Sequence, residues 1–180
     1  MVSLSISENK LFDYNDGICV AGVDFDNWRL AHPSTVINYD EDANYRRIGI
    51  ATEKVANLNY FVNGVEVVNQ DVGIRIHGGT TRAFQSKAFT LHARSEYGKS
   101  KMKYKFFSDM TDSDFNVLIL RNSGGDFVST MFRDALNQRL IKSLKTETQD
   151  YQPTITFVNG EYWGILNIRD KFDDNYFIRK

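Results

Sequence analysis

Val72-Gly73-Ile74-Arg75-Ile76-His77-Gly78-Gly79-Thr80-Thr81-Arg82-Ala83-Phe84-Gln85-Ser86-Lys87-Ala88-Phe89-Thr90-Leu91-His92-Ala93-Arg94 is the stretch on which the reading of this chain turns. Its pattern predicts a strand, a Gly-Gly-Thr-Thr loop and a second strand. Successive side chains of a strand point to opposite faces, so Ile74 and Ile76 share one face while Arg75 and His77 share the other. In the second strand Lys87 has the parity of Phe89, Leu91 and Ala93, which turns its stem toward apolar packing. Four cations and two of the three histidines lie on or beside the loop. A lysine next to free glycine-loop N–H groups suits a phosphate-bearing ligand. A tight polar β-connection with a snorkelling lysine accounts for the same residues without a ligand, and from these residues alone it is the default.

Working outward, the pattern remains β. Residues 3–7 alternate strictly and predict a short strand, placed at an edge. A turn over residues 11–17 and a strand over 18–21 follow. Residues 24–47 hold Asp24, Asp26, Asp40, Glu41, Asp42 and Pro33 and show the weakest regular pattern; they lack the glycine and glutamate spacing of an EF-hand, so a solvated loop is expected. In residues 55–62, Ala56, Leu58, Tyr60 and Val62 oppose Asn57 and Asn59. Asn63-Gly64 is then the preferred dipeptide of a two-residue type I′ turn, and the result is an antiparallel meander. In residues 99–105 lysines alternate with small or aromatic residues. Tyr104, Phe106 and Phe107 are expected to dock on the body rather than to form a platform for single-stranded nucleic acid.

Residues 115–120 predict an apolar strand. Phe127, Met131, Leu136, Leu140 and Leu144 then recur at helical spacing, predicting one long packed helix capped by Asp126 or Ser129. Arg133 sits in its N-terminal half, where the dipole prefers anions; a plain solvated arginine is the default reading, with a polar partner as the alternative. Asn159-Gly160 marks a second hairpin, and residues 170–178 a loop with the first turn of a further helix.

Composition bounds the function. A chain of 180 residues with 42% hydrophobic and 25% charged residues is globular, and 13% aromatics suit a β-rich core. The net charge of -1, from 22 Lys+Arg against 23 Asp+Glu, gives no overall pull toward nucleic acid or acidic lipid. Cys19 is the single cysteine, which excludes an intrachain disulfide and a thiolate metal cluster. No signal-peptide pattern and no 20-residue apolar run is present, which leaves the compartment open. GxGxxG, Walker A, HExxH and GxSxG are absent, and His32, His77 and His92 lack metal-ligand spacing, so no metal site is assigned. His77 and His92 are expected to oppose each other across the central hairpin. These residues define an α+β domain with a candidate anion-binding hairpin, and no reaction.

The blocks from Gly73 to Arg82 and from Ser86 to Gly98 resemble the CotH kinase family, named for spore coat protein H. Leu120-Arg121-Asn122-Ser123-Gly124-Gly125-Asp126 with Met131-Phe132-Arg133-Asp134-Ala135-Leu136, and Val158-Asn159-Gly160-Glu161-Tyr162-Trp163-Gly164-Ile165, are similar to two further family blocks in the same order. The resemblance implies a kinase N-lobe-like portion over residues 48–180, with residues 1–47 as a β/loop lead-in. It implies an atypical Ser/Thr protein kinase using ATP and Mg²⁺ on a protein phosphoacceptor. It places Gly78, Gly79, Thr80 and Thr81 over the phosphates, with Arg75 or Lys87 contacting them. The helix carrying Arg133 would then play the part of a regulatory helix. Where the family usually carries Arg-Glu-Lys, this chain has Arg169-Asp170-Lys171, so Asp170 is one methylene shorter. The family's catalytic and metal-binding aspartates are expected downstream of Lys180, and the 180 residues alone are expected to be inactive. A bacterial surface, secreted or spore-coat setting follows from the family. A non-catalytic structural or binding module is the alternative.

Overall fold

A computed structural model describes residues 1–144 and 146–179. Its strands are β1 (Val2–Ser5), β2 (Lys54–Val62), β3 (Val65–His77), β4 (Ala88–His92), β5 (Met102–Lys103), β6 (Asp114–Phe115), β7 (Val117–Arg121), β8 (Tyr151–Val158) and β9 (Glu161–Asp170). Its α-helices are α1 (Glu8–Phe12), α2 (Gly22–Ala31), α3 (Arg133–Leu140) and α4 (Asp174–Arg179). Among the described residues seven strands close into a barrel in the order β1-β2-β3-β4-β7-β9-β8.

Every neighbouring pair is antiparallel except β1 and β8, whose parallel pairing closes the ring. The edge strand expected at residues 3–7 is therefore paired on both sides. Full closure leaves the barrel without the open edges that invite aggregation. Both Asn-Gly turns form as predicted, with positive φ at Asn63, Gly64, Asn159 and Gly160. That is the geometry which suits a two-residue turn to the strand twist.

The barrel interior is the core. Val2, Leu4, Leu58, Val72, Ile74, Phe89, Leu91, Leu118, Leu120, Leu166 and Ile168 are all buried there, from alternating positions of six strands. Phe106 and Phe107 add a buried aromatic cluster, with Phe106 5.2 Å from Tyr60 and both rings 5.6 Å from Phe115. The aromatics of residues 104–107 thus dock on the body as expected.

Four expectations need correction. Residues 18–21 form a turn, and α2 occupies part of the stretch expected to be loop. The long packed helix is only eight residues, and Ala135 is its single buried residue. Leu136, Leu140, Ile141 and Leu144 face outward. Periodicity could not show this, because Met131 adopts positive φ and the chain enters the helix only after Phe132. The N-cap position falls on Phe132, neither Asp126 nor Ser129, although Asp126 accepts the Arg133 backbone N–H at 3.0 Å from outside the helix and the Thr130 hydroxyl at 2.5 Å. Leu140→Gln should therefore change the unfolding free energy by less than about 0.5 kcal/mol in a urea titration, as for other exposed positions. A residue on a long packed helix would lose about 2–3 kcal/mol.

Candidate functional site

The parity that fills the barrel interior also builds its polar exterior. One cross-strand row runs Arg75, Thr90, Ile119, Arg169, because Arg75 pairs with Thr90, Thr90 with Ile119 and Ile119 with Arg169. His77 pairs with Ala88 and His92 with Gly73, one step to either side of that row. The two histidines share a face but do not oppose each other.

Next to them a cleft of about 260 Å³ is lined by Arg47, Arg75, His77, Arg82, Thr90, His92 and Lys171, with the backbone-rich stretch Ile48, Gly49 and Thr52. No carboxylate lines it. Burial, aided by nearby cations, pushes His77 and His92 down to about 4, so both rings are neutral at pH 7. The His77 Nδ1 lies 3.1 Å from the Thr90 hydroxyl. Positive charge in the cleft therefore comes from Arg47, Arg75, Arg82 and Lys171.

Glu53 stands behind this face with a fully buried side chain. It accepts from Arg75 Nε at 2.7 Å, Arg94 Nε at 2.6 Å and the Tyr97 hydroxyl at 3.0 Å, and lies 4.0 Å from His92. Gly73 makes the room: a Cβ there would lie 2.2 Å from Glu53 Oε1. The burial that would raise the Glu53 carboxyl is outweighed by hydrogen bonds from Arg94 and Arg75, which hold it below the usual carboxylate range. Sequence reading passed over Glu53, because it precedes its strand and its partners come from β3 and from residues 92–97.

The predicted site residues are distributed unevenly. Arg75 lines the cleft, and of the loop after β3 only Arg82 does so. Gly78 has a φ of 115°, and Thr81 Oγ1 occupies the space its Cβ would need. Thr80 is 3.4 Å from Asp40, and Gly79 accepts the Arg82 N–H. Arg82 reaches back to the Gly78 carbonyl and across to the carbonyls of Tyr45 and Arg47, stapling the loop to the chain before β2.

Lys87 is buried as its parity predicted, but it does not line the cleft. Its ammonium donates to the Arg82 carbonyl at 2.5 Å and sits 4.1 Å from the centre of the Tyr45 ring. Desolvation lowers it to about 8. Arg133 is largely exposed, as the solvated default has it, and its guanidinium also lies 3.1 Å from Asp126. Asp170 is buried at the end of β9, where one carboxylate oxygen accepts the Lys171 N–H at 2.9 Å. Cys19, pushed up to about 12 chiefly by burial, is no nucleophile.

Fold and site together define a β-rich α+β domain whose closed sheet carries a cleft lined by cations on its outer side. The CotH kinase protein family model matches residues 74–180, more than half of the sequence, and the chain belongs to the CotH kinase family. The match takes in the glycine loop, the strands β4, β7 and β9, and α3. No curated protein matches the chain.

Glu53→Gln should cost about 3–5 kcal/mol in chemical denaturation, the usual result of removing one partner from a buried ionic cluster. The acid side has a definite sign. The unfolded histidines bind protons from about 6.5 downward and the folded ones only near 4, so the unfolded state holds more protons between those values. Stability should fall as pH is lowered from 6.5 to 4, and His77→Gln with His92→Gln should flatten that slope.

Proposed function

We propose that this chain is the nucleotide-covering part of an atypical Ser/Thr protein kinase, which transfers the γ-phosphoryl of ATP to a protein partner. Residues 48–180 belong to the kinase-like domain in this reading, a kinase N-lobe-like portion, and residues 1–47 lead into it. The cleft of Arg47, Arg75, His77, Arg82, His92 and Lys171, free of carboxylates, carries the reading. Phosphoryl transfer depends on cations placed against the phosphates far more than on covalent chemistry by the protein. Guanidinium groups suit phosphate oxygens because their N–H donors are fixed in a fork.

The residues present fit a polyphosphate tail. Arg75, Arg82 and Lys171 would hold it, and the neutral His77 and His92 would offer ring N–H groups. Gly78, Gly79, Thr80 and Thr81 would cover the rim. Lys87 would act one step removed, fixing the Arg82 carbonyl while the Arg82 side chain enters the cleft. Arg133 would keep α3 in place through Asp126, and Asp170 would fix the backbone that presents Lys171. Bound ATP supplies the transferable phosphoryl group; these residues bind it, orient it and exclude water from it.

Mg²⁺ does not fit this cleft. Glu53, the carboxylate behind it, already receives two arginines, and no cluster of three His, Cys, Asp or Glu among the described residues could hold a metal ion. No step is therefore routed through the metal here, and no catalytic residue is assigned.

Titration with a non-hydrolysable ATP analogue tests the reading. Lys171→Ala should weaken binding by about tenfold, near 1.4 kcal/mol, with little change in stability. Arg75→Ala should weaken it at least as much. Unchanged affinity in both variants would sink the assignment and favour a non-catalytic surface or coat module.

A further inference from the structure

The outer face holds a second cationic cluster, three strands from the first. Strands lie about 4.8 Å apart, so Arg75 and Arg169 of the shared row are separated by roughly 14 Å. Arg169 is 1% exposed. Its Nη2 donates to Asp134 Oδ2 at 2.6 Å, and Arg121 Nε lies 3.4 Å from the same oxygen. Two guanidinium groups therefore face one carboxylate, and the cluster keeps a net positive charge.

The hydrogen bonds are also incomplete. Arg169 Nε, Arg169 Nη1 and Arg121 Nε are buried and make no hydrogen bond among the described residues, Arg121 Nε having only its ion-pair approach to Asp134. Tyr151 lies 5.6 Å from the Arg169 guanidinium carbon, but a ring face cannot replace acceptors in the plane of the fork. Each buried donor left unmade costs about 1–3 kcal/mol, more for a charged group, so a folded chain does not keep three of them without cause. The mouth is open: Arg121 is about one-third exposed and so is Asp134. Asp134 lies in the first turn of α3, beside Arg133.

We infer that Arg121 and Arg169 form a second oxyanion site, at the seam between α3 and the sheet, which takes a phosphate group and in which Asp134 is the resident, displaceable carboxylate. The geometry supplies a buried guanidinium as the floor, a half-open one as the wall and unpaired N–H donors on both. A phosphate group has the several acceptor oxygens that a single carboxylate, gripped by one oxygen, does not offer them. Binding there competes with the Asp134 tie and so bears on the seating of α3. The inference does not rest on nucleotide binding in the cleft.

The test follows the arginine Nε–Hε signals by NMR while inorganic phosphate is titrated into the protein. Saturable shifts of the Arg121 and Arg169 signals are expected. Asp134→Asn, which removes the competing charge, should tighten phosphate binding by about tenfold, near 1.4 kcal/mol. Arg121→Gln should abolish the response; its side chain is partly exposed, so it serves where an Arg169 variant fails to fold. No shift of either signal, or weaker binding in Asp134→Asn, overturns the inference.

A non-hydrolysable ATP analogue separates the sources. Shifts at Arg169 that require intact Arg75 and Lys171 assign the phosphate to a nucleotide tail. Shifts caused by inorganic phosphate and kept in the Arg75→Ala and Lys171→Ala variants assign a free or protein-borne phosphate. Loss of nucleotide binding with this response retained would count against the kinase reading and leave the second site standing.

Discussion

The cationic face exists because one carboxylate is buried behind it. Arg75 and Arg94 converge beside His92 at the ends of β3 and β4, and without Glu53 the repulsion of the two arginines would oppose the pairing of those strands. Glu53 is fully buried and bonded to both arginines and to Tyr97, so its desolvation is offset by several charge-assisted hydrogen bonds rather than one. The glycine at position 73 belongs to the same arrangement, since any side chain there would displace the carboxylate. The surface that could receive an anion is thus fixed from inside, while Arg47 and Lys171 at its rim keep carboxylate neighbours of their own in Asp24 and Asp173.

Closure of the barrel decides where a ligand can act. The interior is filled by aliphatic and aromatic side chains from alternating positions, as in other small barrels, and leaves no lumen to use. Function is confined to the exterior, and there the same alternation delivers arginines and histidines onto adjacent strands. Packing and charge presentation are two faces of one period-2 pattern, so a one-residue register slip would turn Arg75 and Arg169 into the apolar barrel interior and Ile74 and Ile168 out of it.

Much of this could be read from residues close together in the chain. The alternation in β2, β3 and β4, both Asn-Gly hairpins, the buried stem of Lys87 and the docking of Phe106 and Phe107 all follow from local pattern. What escaped depends on contacts between distant residues. The parallel pairing of β1 with β8 joins residues more than 150 apart, and no local signal encodes it. Glu53 precedes its strand and looks like an ordinary surface glutamate until Arg75 and Arg94 arrive from the next hairpin. Lys87 was read correctly for burial, but its ammonium is aimed by Tyr45, a residue from the stretch that showed the weakest pattern. The stripe at residues 127–144 has helical spacing throughout, yet the backbone turn at Met131 breaks it before Arg133.

That broken helix changes how α3 is held. A long amphipathic helix would be fastened by apolar burial, which is insensitive to salt and to ligands. An eight-residue helix that buries only Ala135 has little such attachment. Its ties are polar: Asp126 to the first backbone N–H, and Asp134 to Arg121 and Arg169. Both are acidic groups at the helix N-terminus, where the dipole adds to their effect. The seating of α3 therefore follows the charge balance of the seam, where two arginines meet one carboxylate. An element held this way can respond to an anion, whereas the strands beneath it, held by the core, do not.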